Sequence, residues 1–562
     1  MYKSSKFIIG IAILVIALVL LANPIVFAKA KNTIKSQSLA KPAEVVDEQF
    51  DGNTIACWMQ NQGMIVSHKV TGSSGMEWPK GSAKTIDYAS GLWLLGKTPD
   101  GEIRSASSEY STEFLPGVIL ADGTPDDPDK SEYRIYKINS DGTGDWDVWP
   151  YDQGAPYVLD DQGNKTPKLI GDQTLFWVMN DAAISEHANV FNTLPMGVEQ
   201  QISVFGYNTA DPLGNIMFVQ WKVINKSNTD YDSCIVAVWD DPDLGDASDD
   251  LVGCDTTLGM GYCYNGSPVD ATYGTTPPAL GFDFFQGPMV DGVPLPMTSF
   301  VYYYNGAPDP FGDPEDENQA YNFMSGYASD GSNFIDDAGN PGKFVFSGDP
   351  VTQSGWLDSA PADRRFLMSS GPFTLAAGDT QVIVGAKIIA PGVDNLSAVD
   401  ALRFFDSFAQ TAFDNNFEMP QPPAPVVEVV NLDRKVVLSW QDNAERYKTI
   451  ESYDFKGYQF QGYNVYQGES STGPWELIET VDVVDDLGIV FDNTYDAAAG
   501  MVLNKPVTFG ANSGISRNLT IDSDAISGYP LYNYKNYYFA VTAYAVNPDF
   551  SPKNAESGQI AH

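Results

Sequence analysis

Short runs of aromatic and β-branched residues recur between residues 54 and 391, separated by clusters of glycine, proline, asparagine and aspartate. Such runs suit a pleated, half-buried strand, and the clusters between them are typical of turns. The runs include 91–96, 201–207, 216–224, 234–239 and the buried-strand pattern VIVGAKII at 382–389. Strands that return at strand-plus-turn spacing favour β-sandwiches over alternating α/β folds. The chain is therefore predicted to be mostly β and multi-domain, with a large β-rich region at 54–395 that is either undivided or two sandwiches split near 190–200.

One amphipathic segment, predicted as a helix over 396–418, interrupts the strand pattern. Its apolar residues recur mostly at steps of three and four, which is the period of a helix face. They are Leu396, Val399, Leu402, Phe405, Phe408 and Phe413. Asn395 precedes them and is a residue type that caps helix starts. The proline-rich segment 419–425 follows and favours an extended linker, because proline has no backbone N–H to donate.

The N-terminus carries the three parts of an export signal. Lys3 and Lys6 precede an apolar run at 7–22, and Ala28-Lys29-Ala30 supplies a small-x-small cleavage site. This order predicts a cleavable signal peptide over 1–30, followed by a flexible lead-in over 31–53. A retained membrane anchor is the rival interpretation, since the run is close to the shortest length that spans a bilayer. After cleavage no membrane span is expected.

The charge of the chain limits its partners. With 32 lysines and arginines against 73 acidic residues, the formal net charge is −41. Such a charge repels nucleic acid and attracts divalent cations. A disordered polyanion is excluded, because 43% of the residues are hydrophobic and 12% aromatic. The expectation is a folded protein, secreted or at the outer cell surface, that does not bind nucleic acid.

The segment 239–255 has the most specific chemical signal. Its sequence, WDDPDLGDASDDLVGCD, places six carboxylates within the eleven residues 240–250. Oxygen ligands on a turning backbone are what Ca²⁺ takes, although the order is not that of an EF-hand loop. Two alternatives stay open at this stage, a calcium site and a solvated acidic turn. The candidate calcium ligands are Asp240, Asp241, Asp243, Asp246, Asp249, Asp250 and Asp255.

The four cysteines are an even number in a chain predicted to enter an oxidising compartment. Cys254 and Cys263 are close enough in sequence to bridge a hairpin or loop, so they are the predicted disulfide. Cys57 and Cys234 are either free or paired with each other. A zinc site is disfavoured, because the chain has no Cys-x-x-Cys and its three histidines are scattered.

The C-terminal segment 426–562 resembles a fibronectin type III domain. The strand-like sequences VVLSW at 436–440 and GYNVY at 462–466 are followed by YFAVTAY at 538–544. Leu531 lies six residues before Tyr537, the family's spacing for a tyrosine corner, although the family's intervening proline is absent. The resemblance implies a β-sandwich with a tyrosine hydroxyl bonded back to the chain, and the length of the segment implies insertions near 441–461 and 484–528.

Phrases in the large region resemble big exported proteins of the Bacteroidetes, many of which end in a type IX secretion sorting domain. They include SGLWLLGKTPDGEIRSAS at 90–107, DQTLFWVMND at 172–181 and LPMGVEQQISVFGYN at 194–208. The resemblance implies an extracellular or surface location more than an activity. The chain stops at His562 without the sorting domain that the pattern leads one to expect.

The sequence favours a non-enzymatic function. It has no G-x-S-x-G elbow and no H-E-x-x-H helix, the signatures of common hydrolases. We therefore expect a secreted or cell-surface structural or adhesion protein, stabilised by Ca²⁺, that binds an extracellular protein, a polysaccharide or copies of itself. Two alternatives remain: an extracellular glycan-active hydrolase with an accessory fibronectin type III domain, and a subunit of an extracellular filament or surface layer.

Overall fold

The computed structural model describes residues 46–562 except 69–73, 210, 442, 472, 486, 497, 511 and 551. The predicted signal peptide at 1–30 and most of the predicted lead-in at 31–53 lie outside these residues. The prediction that the lead-in extends to residue 53 is wrong, because Asp47–Phe50 is a strand paired with Ala56–Gln60.

The described residues form 34 strands and three α-helices. The first seventeen strands are β1 Asp47–Phe50, β2 Ala56–Gln60, β3 Met76–Glu77, β4 Thr85–Asp87, β5 Ala89–Lys97, β6 Ile103–Ser107, β7 Leu115–Pro116, β8 Tyr136–Asn139, β9 Tyr157–Leu159, β10 Lys165–Pro167, β11 Gln173–Asn180, β12 Val198–Gly206, β13 Ile216–Asn225, β14 Tyr231–Asp241, β15 Asp250–Asp255, β16 Met260–Asn265 and β17 Ala279–Gln286. The others are β18 Met289–Val290, β19 Val293–Pro294, β20 Ser299–Tyr304, β21 Phe334–Ile335, β22 Pro341–Gly342, β23 Arg364–Leu375, β24 Thr380–Ala390, β25 Glu428–Leu432, β26 Lys435–Ser439, β27 Asp454–Phe455, β28 Tyr458–Gly468, β29 Trp475–Asp482, β30 Ile489–Asp496, β31 Met501–Phe509, β32 Asn518–Ile521, β33 Tyr538–Val546 and β34 Asn554–Glu556. The helices are α1 Glu317–Met324, α2 Asn395–Asp414 and α3 Ala444–Glu451.

The large region is a β-sandwich, so the prediction of a mostly β fold is confirmed. One layer is a nine-stranded sheet in the order β15-β16-β17-β24-β13-β12-β11-β7, with β8 also paired to β11. The other layer contains a five-stranded sheet, β20-β23-β14-β5-β6, and a four-stranded sheet, β1-β2-β3-β4. The split suggested near 190–200 is not a boundary between sheets, because β11 and β12, on either side of it, pair along eight residues.

A continuous apolar core fills the space between the two layers. Trp177 and Trp221 of the nine-stranded sheet share it with Leu92 and Val236 of the five-stranded sheet and Phe50 of the four-stranded sheet. All five side chains are at most 1% exposed. Side chains alternate along a strand, so each sheet also has an outer face that must be covered.

One helix covers the outer face of each large sheet. Helix α2 packs Leu402 and Ala409 against the nine-stranded sheet, and α1 packs Phe323 against the five-stranded sheet. The predicted helix at 396–418 is α2, which ends earlier, at Asp414, and is capped by Asp394 rather than Asn395. The eight-residue helices α1 and α3 were not predicted, because they are too short to show a clear apolar period in the sequence. None of the helices in the described residues is both long and apolar enough to cross a membrane.

The C-terminal residues form a second, smaller sandwich. A three-stranded sheet, β25-β26-β32, lies against a five-stranded sheet, β27-β28-β33-β34, in which β29 also pairs with β28. Its core contains Leu438, Trp440, Tyr463, Leu531 and Val541. The preceding segment 419–425 contains neither helix nor strand.

A buried ion triad joins the three sheets of the large sandwich. Lys387 on β24 lies 2.5 Å from Asp87 on β4 and 2.5 Å from Asp240 on β14. The three side chains are at most 1% exposed. Burial raises the pKa of Asp87 well above 3.8, with a further contribution from Asp240, whereas Lys387 lowers it. Two buried carboxylates therefore share one ammonium group as their ion-pair partner, in a place that water does not reach.

Replacing the ammonium group should destabilise the whole sandwich. Removal of one partner from a buried ion pair costs about 3–5 kcal/mol, because the remaining charge is left desolvated. We expect Lys387→Met to lower the free energy of unfolding in urea by that amount. Lys130→Met is the control, because Lys130 pairs with Asp126 at the surface, where water and salt screen an ion pair and its contribution to stability is small. Equal effects of the two substitutions would contradict a structural role for the triad.

Candidate metal centre

The predicted calcium ligands begin inside a strand. β14 extends to Asp241 and pairs with β23 on one side and β5 on the other. Because consecutive strand residues face opposite sides of a sheet, Asp240 and Asp241 diverge. Asp240 points between the layers to Lys387, so its assignment as a calcium ligand is wrong.

Three carboxylates converge on the other side of the sheet. One oxygen from each of Asp241, Asp243 and Asp363 lies within 4.8 Å of the other two. Asp363 immediately precedes β23, and β23 pairs antiparallel with β14, with Phe366 opposite Asp240. The strand register therefore brings a residue that is more than a hundred positions away in sequence to the end of β14.

Arg365 and Tyr110 hold the buried member of this cluster. The Tyr110 hydroxyl donates to Asp241 Oδ2 at 2.6 Å, and Arg365 Nη2 donates to the same oxygen at 3.3 Å. Asp241 Oδ1 lies 3.3 Å from Arg365 Nε but has no hydrogen-bond donor among the described residues. Arg365 Nη1 also donates to Asp363 Oδ1 at 2.7 Å. Asp241 is 1% exposed, so this Oδ1, which has an ion-pair contact but no hydrogen bond from the described residues, lies in a place that water barely reaches.

The electrostatics of the cluster favour a cation. Burial raises the pKa of Asp241 to about 8 against the opposing effect of Arg365, and Asp243 and Asp363 raise it further. Burial and the neighbouring Asp363 raise the pKa of Asp243 to about 6. Three carboxylates and one guanidinium sum to a formal charge of −2, which a divalent ion neutralises. The donors are all oxygens, which suits a hard cation such as Ca²⁺ or Mg²⁺.

Asp246 and Asp255 lie outside this cluster. Asp246 accepts hydrogen bonds from the Ser248 N–H at 3.1 Å and the Ser248 hydroxyl at 2.7 Å, which caps a single turn of 3-10 helix. Asp255, at the end of β15, lies 3.3 Å from Arg403 Nε of α2. Both carboxylates already have local partners.

Asp249 and Asp250 are also separate from the cluster. Asp250 is fully buried, its Oδ2 accepts from the Leu244 N–H at 3.1 Å, and burial raises its pKa well above the usual value. Asp249 is partly buried, and its pKa is raised by burial and by the neighbouring Asp270. The hypothesis of one seven-carboxylate loop is therefore wrong: the structure brings together only Asp241 and Asp243 of that set.

The predicted disulfide is absent from the structure, in which all four cysteines are buried free thiols. Cys254 lies opposite Gly261, and Cys263 lies opposite Val252, on the paired strands β15 and β16. The two cysteines are thus diagonal neighbours, whose Cα atoms are about 7–8 Å apart in an antiparallel sheet. A disulfide requires roughly 4.4–6.8 Å, so this register does not suit one.

Sequence reasoning missed Asp363, Arg365 and Tyr110. The only local signal is Asp363-Arg364-Arg365, an acidic and basic cluster directly before an apolar strand. Tyr110 lies in the loop after β6, and only the fold brings it to Asp241.

Comparisons with known proteins assign the chain to no family. No protein-family model and no curated protein matches the chain. Among solved structures, a polysaccharide lyase aligns over 93% of this chain and 47% of its own, with 7% identity and a TM-score of 0.24. A family GH92 inverting mannosidase from Bacteroides thetaiotaomicron aligns over 62% of this chain and 33% of its own, with 10% identity and a TM-score of 0.17. The chain thus spans about half the length of the lyase and about a third of the length of the mannosidase. Neither similarity is strong enough to support a fold or an activity.

The raised pKa values predict a pH dependence for the calcium-free protein. A carboxyl whose pKa is higher when folded binds more protons in the folded state, so the free energy of unfolding falls as pH rises from its unfolded pKa to its folded pKa. For Asp243 this window runs from 3.8 to about 6. In EDTA, we expect Asp243→Asn to become more stable relative to the unsubstituted protein as pH rises from 5 to 7, measured by urea unfolding.

Asp246→Asn is the matched control in the same loop. The Asp246 pKa is lowered by its bonds to Ser248, so its contribution is complete above the unfolded pKa and does not change between pH 5 and 7. A stability difference for Asp243→Asn that stays flat over this range, as in the control, would contradict the electrostatic account of the cluster.

Proposed function

We propose that this protein is a secreted or cell-surface structural or adhesion protein whose large sandwich binds one Ca²⁺ ion through Asp241, Asp243 and Asp363. The observation that carries the proposal is the convergence of these three carboxylates, one of them buried with an oxygen that accepts no hydrogen bond from the part of the chain that the structure describes. The extracellular location rests on the predicted signal peptide and the net charge of −41. The partner is an extracellular protein, a polysaccharide or a second copy of the chain.

The spacing of the carboxylates suits calcium. Ca²⁺ binds oxygen at about 2.3–2.6 Å, so oxygens on opposite sides of the ion are about 4.6–5.2 Å apart. The three oxygens lie within 4.8 Å of one another, so a single ion can contact all three. Because Ca²⁺ takes six to eight oxygens, water and backbone carbonyls would complete the shell.

Binding of the ion would stiffen the loops at one end of the five-stranded sheet. Asp241 and Asp243 belong to the end of β14 and the loop after it, and Asp363 belongs to the loop before β23. An ion between them ties two connections at one end of the five-stranded sheet and replaces protons on acids whose pKa is raised. A protein exposed to extracellular calcium would gain rigidity where its loops emerge from the sandwich.

Calcium should raise the melting temperature. With a Kd of about 10⁻⁴ M, typical of extracellular modules, about 10 mM calcium is a hundredfold excess and stabilises the fold by about 2.7 kcal/mol. We expect thermal melts at pH 7.5 to shift upward in calcium relative to EDTA, and Asp363→Asn to abolish the shift. Asp246→Asn, the control, should keep it, and a shift that survives Asp363→Asn would overturn the site.

We infer that the C-terminal sandwich is a fibronectin type III-like spacer or docking module. Two observations support this inference: a three-stranded sheet faces a sheet containing β28, β29, β33 and β34, and the Tyr537 hydroxyl accepts a hydrogen bond from the Tyr532 N–H at 3.0 Å. A tyrosine corner makes the same kind of backward bond. Leu531, six residues before Tyr537, is 2% exposed in the core of this sandwich.

Loss of the tyrosine hydroxyl should weaken this sandwich. Tyr537→Phe leaves the Tyr532 N–H without its acceptor, and a hydrogen bond of this type contributes about 0.5–1.5 kcal/mol. We expect the free energy of unfolding of the C-terminal domain, measured in urea, to fall by that amount. Tyr534→Phe is the control, because Tyr534 is fully exposed. Equal stability of the two variants would argue against a tyrosine corner.

A further inference from the structure

The C-terminal sandwich has an open groove at one end, between the β25–β26 hairpin and the segment 531–539. Its volume is about 650 Å³. Tyr532 and Tyr534 contribute rings to it, with Tyr532 55% exposed and Tyr534 fully exposed. Arg434, Lys435 and Lys535 supply cationic groups. We refer to this space, to which these five residues contribute, as the tyrosine groove.

Hydrogen bonds fix the two walls of the tyrosine groove relative to each other. Asn533 Nδ2 donates to Asp433 Oδ1 at 2.8 Å, and the Arg434 N–H donates to Asn533 Oδ1 at 3.0 Å. The Tyr537 hydroxyl holds the same segment through the Tyr532 N–H. The exposed rings are therefore mounted on a braced turn, which reduces the entropy lost when a ligand binds.

The charge of the tyrosine groove differs from that of the chain. Asp433 is its one aspartate or glutamate, against one arginine and two lysines, whereas the chain carries −41. Lys435 and Lys535 lie 3.6 Å and 3.0 Å from carboxylates outside the lining, Asp522 and Asp524. Arg434 makes no ion pair with the described residues. At physiological salt, charges beyond about 8 Å are screened, so a bound segment responds to this local balance rather than to the net charge.

We propose that the tyrosine groove binds a polysaccharide that carries carboxylates, with Tyr532 and Tyr534 against the sugar faces and Arg434 on a carboxylate. Tyrosine gives a flat apolar face with a polar tip, which suits a sugar ring. The Arg434 guanidinium offers a fork of donors that matches a carboxylate. This inference rests on the proposed adhesion function and names its ligand class.

Other aromatic clusters are less suited to this role. Trp149 and Phe176 are buried in a small cluster beside β8, and Tyr303 is buried against α1. These rings already pack against protein, whereas Tyr532 and Tyr534 present their rings to solvent.

Binding to hyaluronan and to neutral dextran tests the proposal on the full chain. Both measurements are made in EDTA, so that calcium cannot bridge an anionic polymer to the acidic surface. We expect hyaluronan to bind and dextran to bind more weakly. Tyr534→Ala should weaken hyaluronan binding about two- to tenfold, as expected for the loss of an aromatic contact. Arg434→Gln should remove the preference for hyaluronan over dextran.

Two exposed residues of the same domain are matched controls. Tyr529 is 64% exposed and Lys448 has a 65% exposed side chain, and neither lines the tyrosine groove. Tyr529→Ala and Lys448→Gln should leave binding unchanged. Absence of hyaluronan binding, equal losses in the controls, or an unchanged preference in Arg434→Gln would overturn the proposal. The calcium proposal is tested by thermal melts of Asp363→Asn, and the groove proposal by polysaccharide binding of Tyr534→Ala and Arg434→Gln. Either proposal can therefore fail without the other.

Discussion

The large sandwich depends on the buried triad of Lys387, Asp87 and Asp240, three charged groups in an otherwise apolar core. Lys387 reaches carboxylates of two other sheets, so the nine-, five- and four-stranded sheets meet at one ammonium group. Desolvating an ion costs several kcal/mol, which the network recovers only when its geometry is kept. Apolar packing alone tolerates small shifts of one sheet against another, whereas this triad does not. The triad thereby fixes the position of β14, whose last residue begins the candidate metal centre.

The Asp240-Asp241 pair shows how strand alternation divides two functions between adjacent residues. Asp240 belongs to the buried triad, and Asp241 belongs to the cluster with Asp243 and Asp363 on the opposite side of the sheet. Both carboxyls are desolvated, but the first has an ammonium partner, while the second shares one guanidinium with its acidic neighbours. Inside the core, the Lys387 ammonium group offsets the cost of desolvating a carboxylate. In our proposal, a bound Ca²⁺ ion does the same at the site of Asp241.

Local patterns predicted much of the fold and less of the site. The run VIVGAKII corresponds to β24, and the apolar period of 396–413 corresponds to α2, because both depend on near neighbours in sequence. The strand predicted at 234–239 continues to Asp241, and that two-residue extension removes Asp240 from the acidic loop. Asp363 could not be predicted, since its place depends on the register of β23 against β14. Lys387 was hidden in an apolar strand, where a lysine is tolerated only because distant carboxylates meet it.

The position of a bound ion tests the central claim most directly. A crystal structure determined in the presence of calcium chloride should show one ion within about 2.3–2.6 Å of oxygens from Asp241, Asp243 and Asp363. Arg365 should still contact Asp241 and Asp363. An ion bound instead by Asp246 and Asp249, or a guanidinium that fills the space between the three carboxylates, would contradict the account.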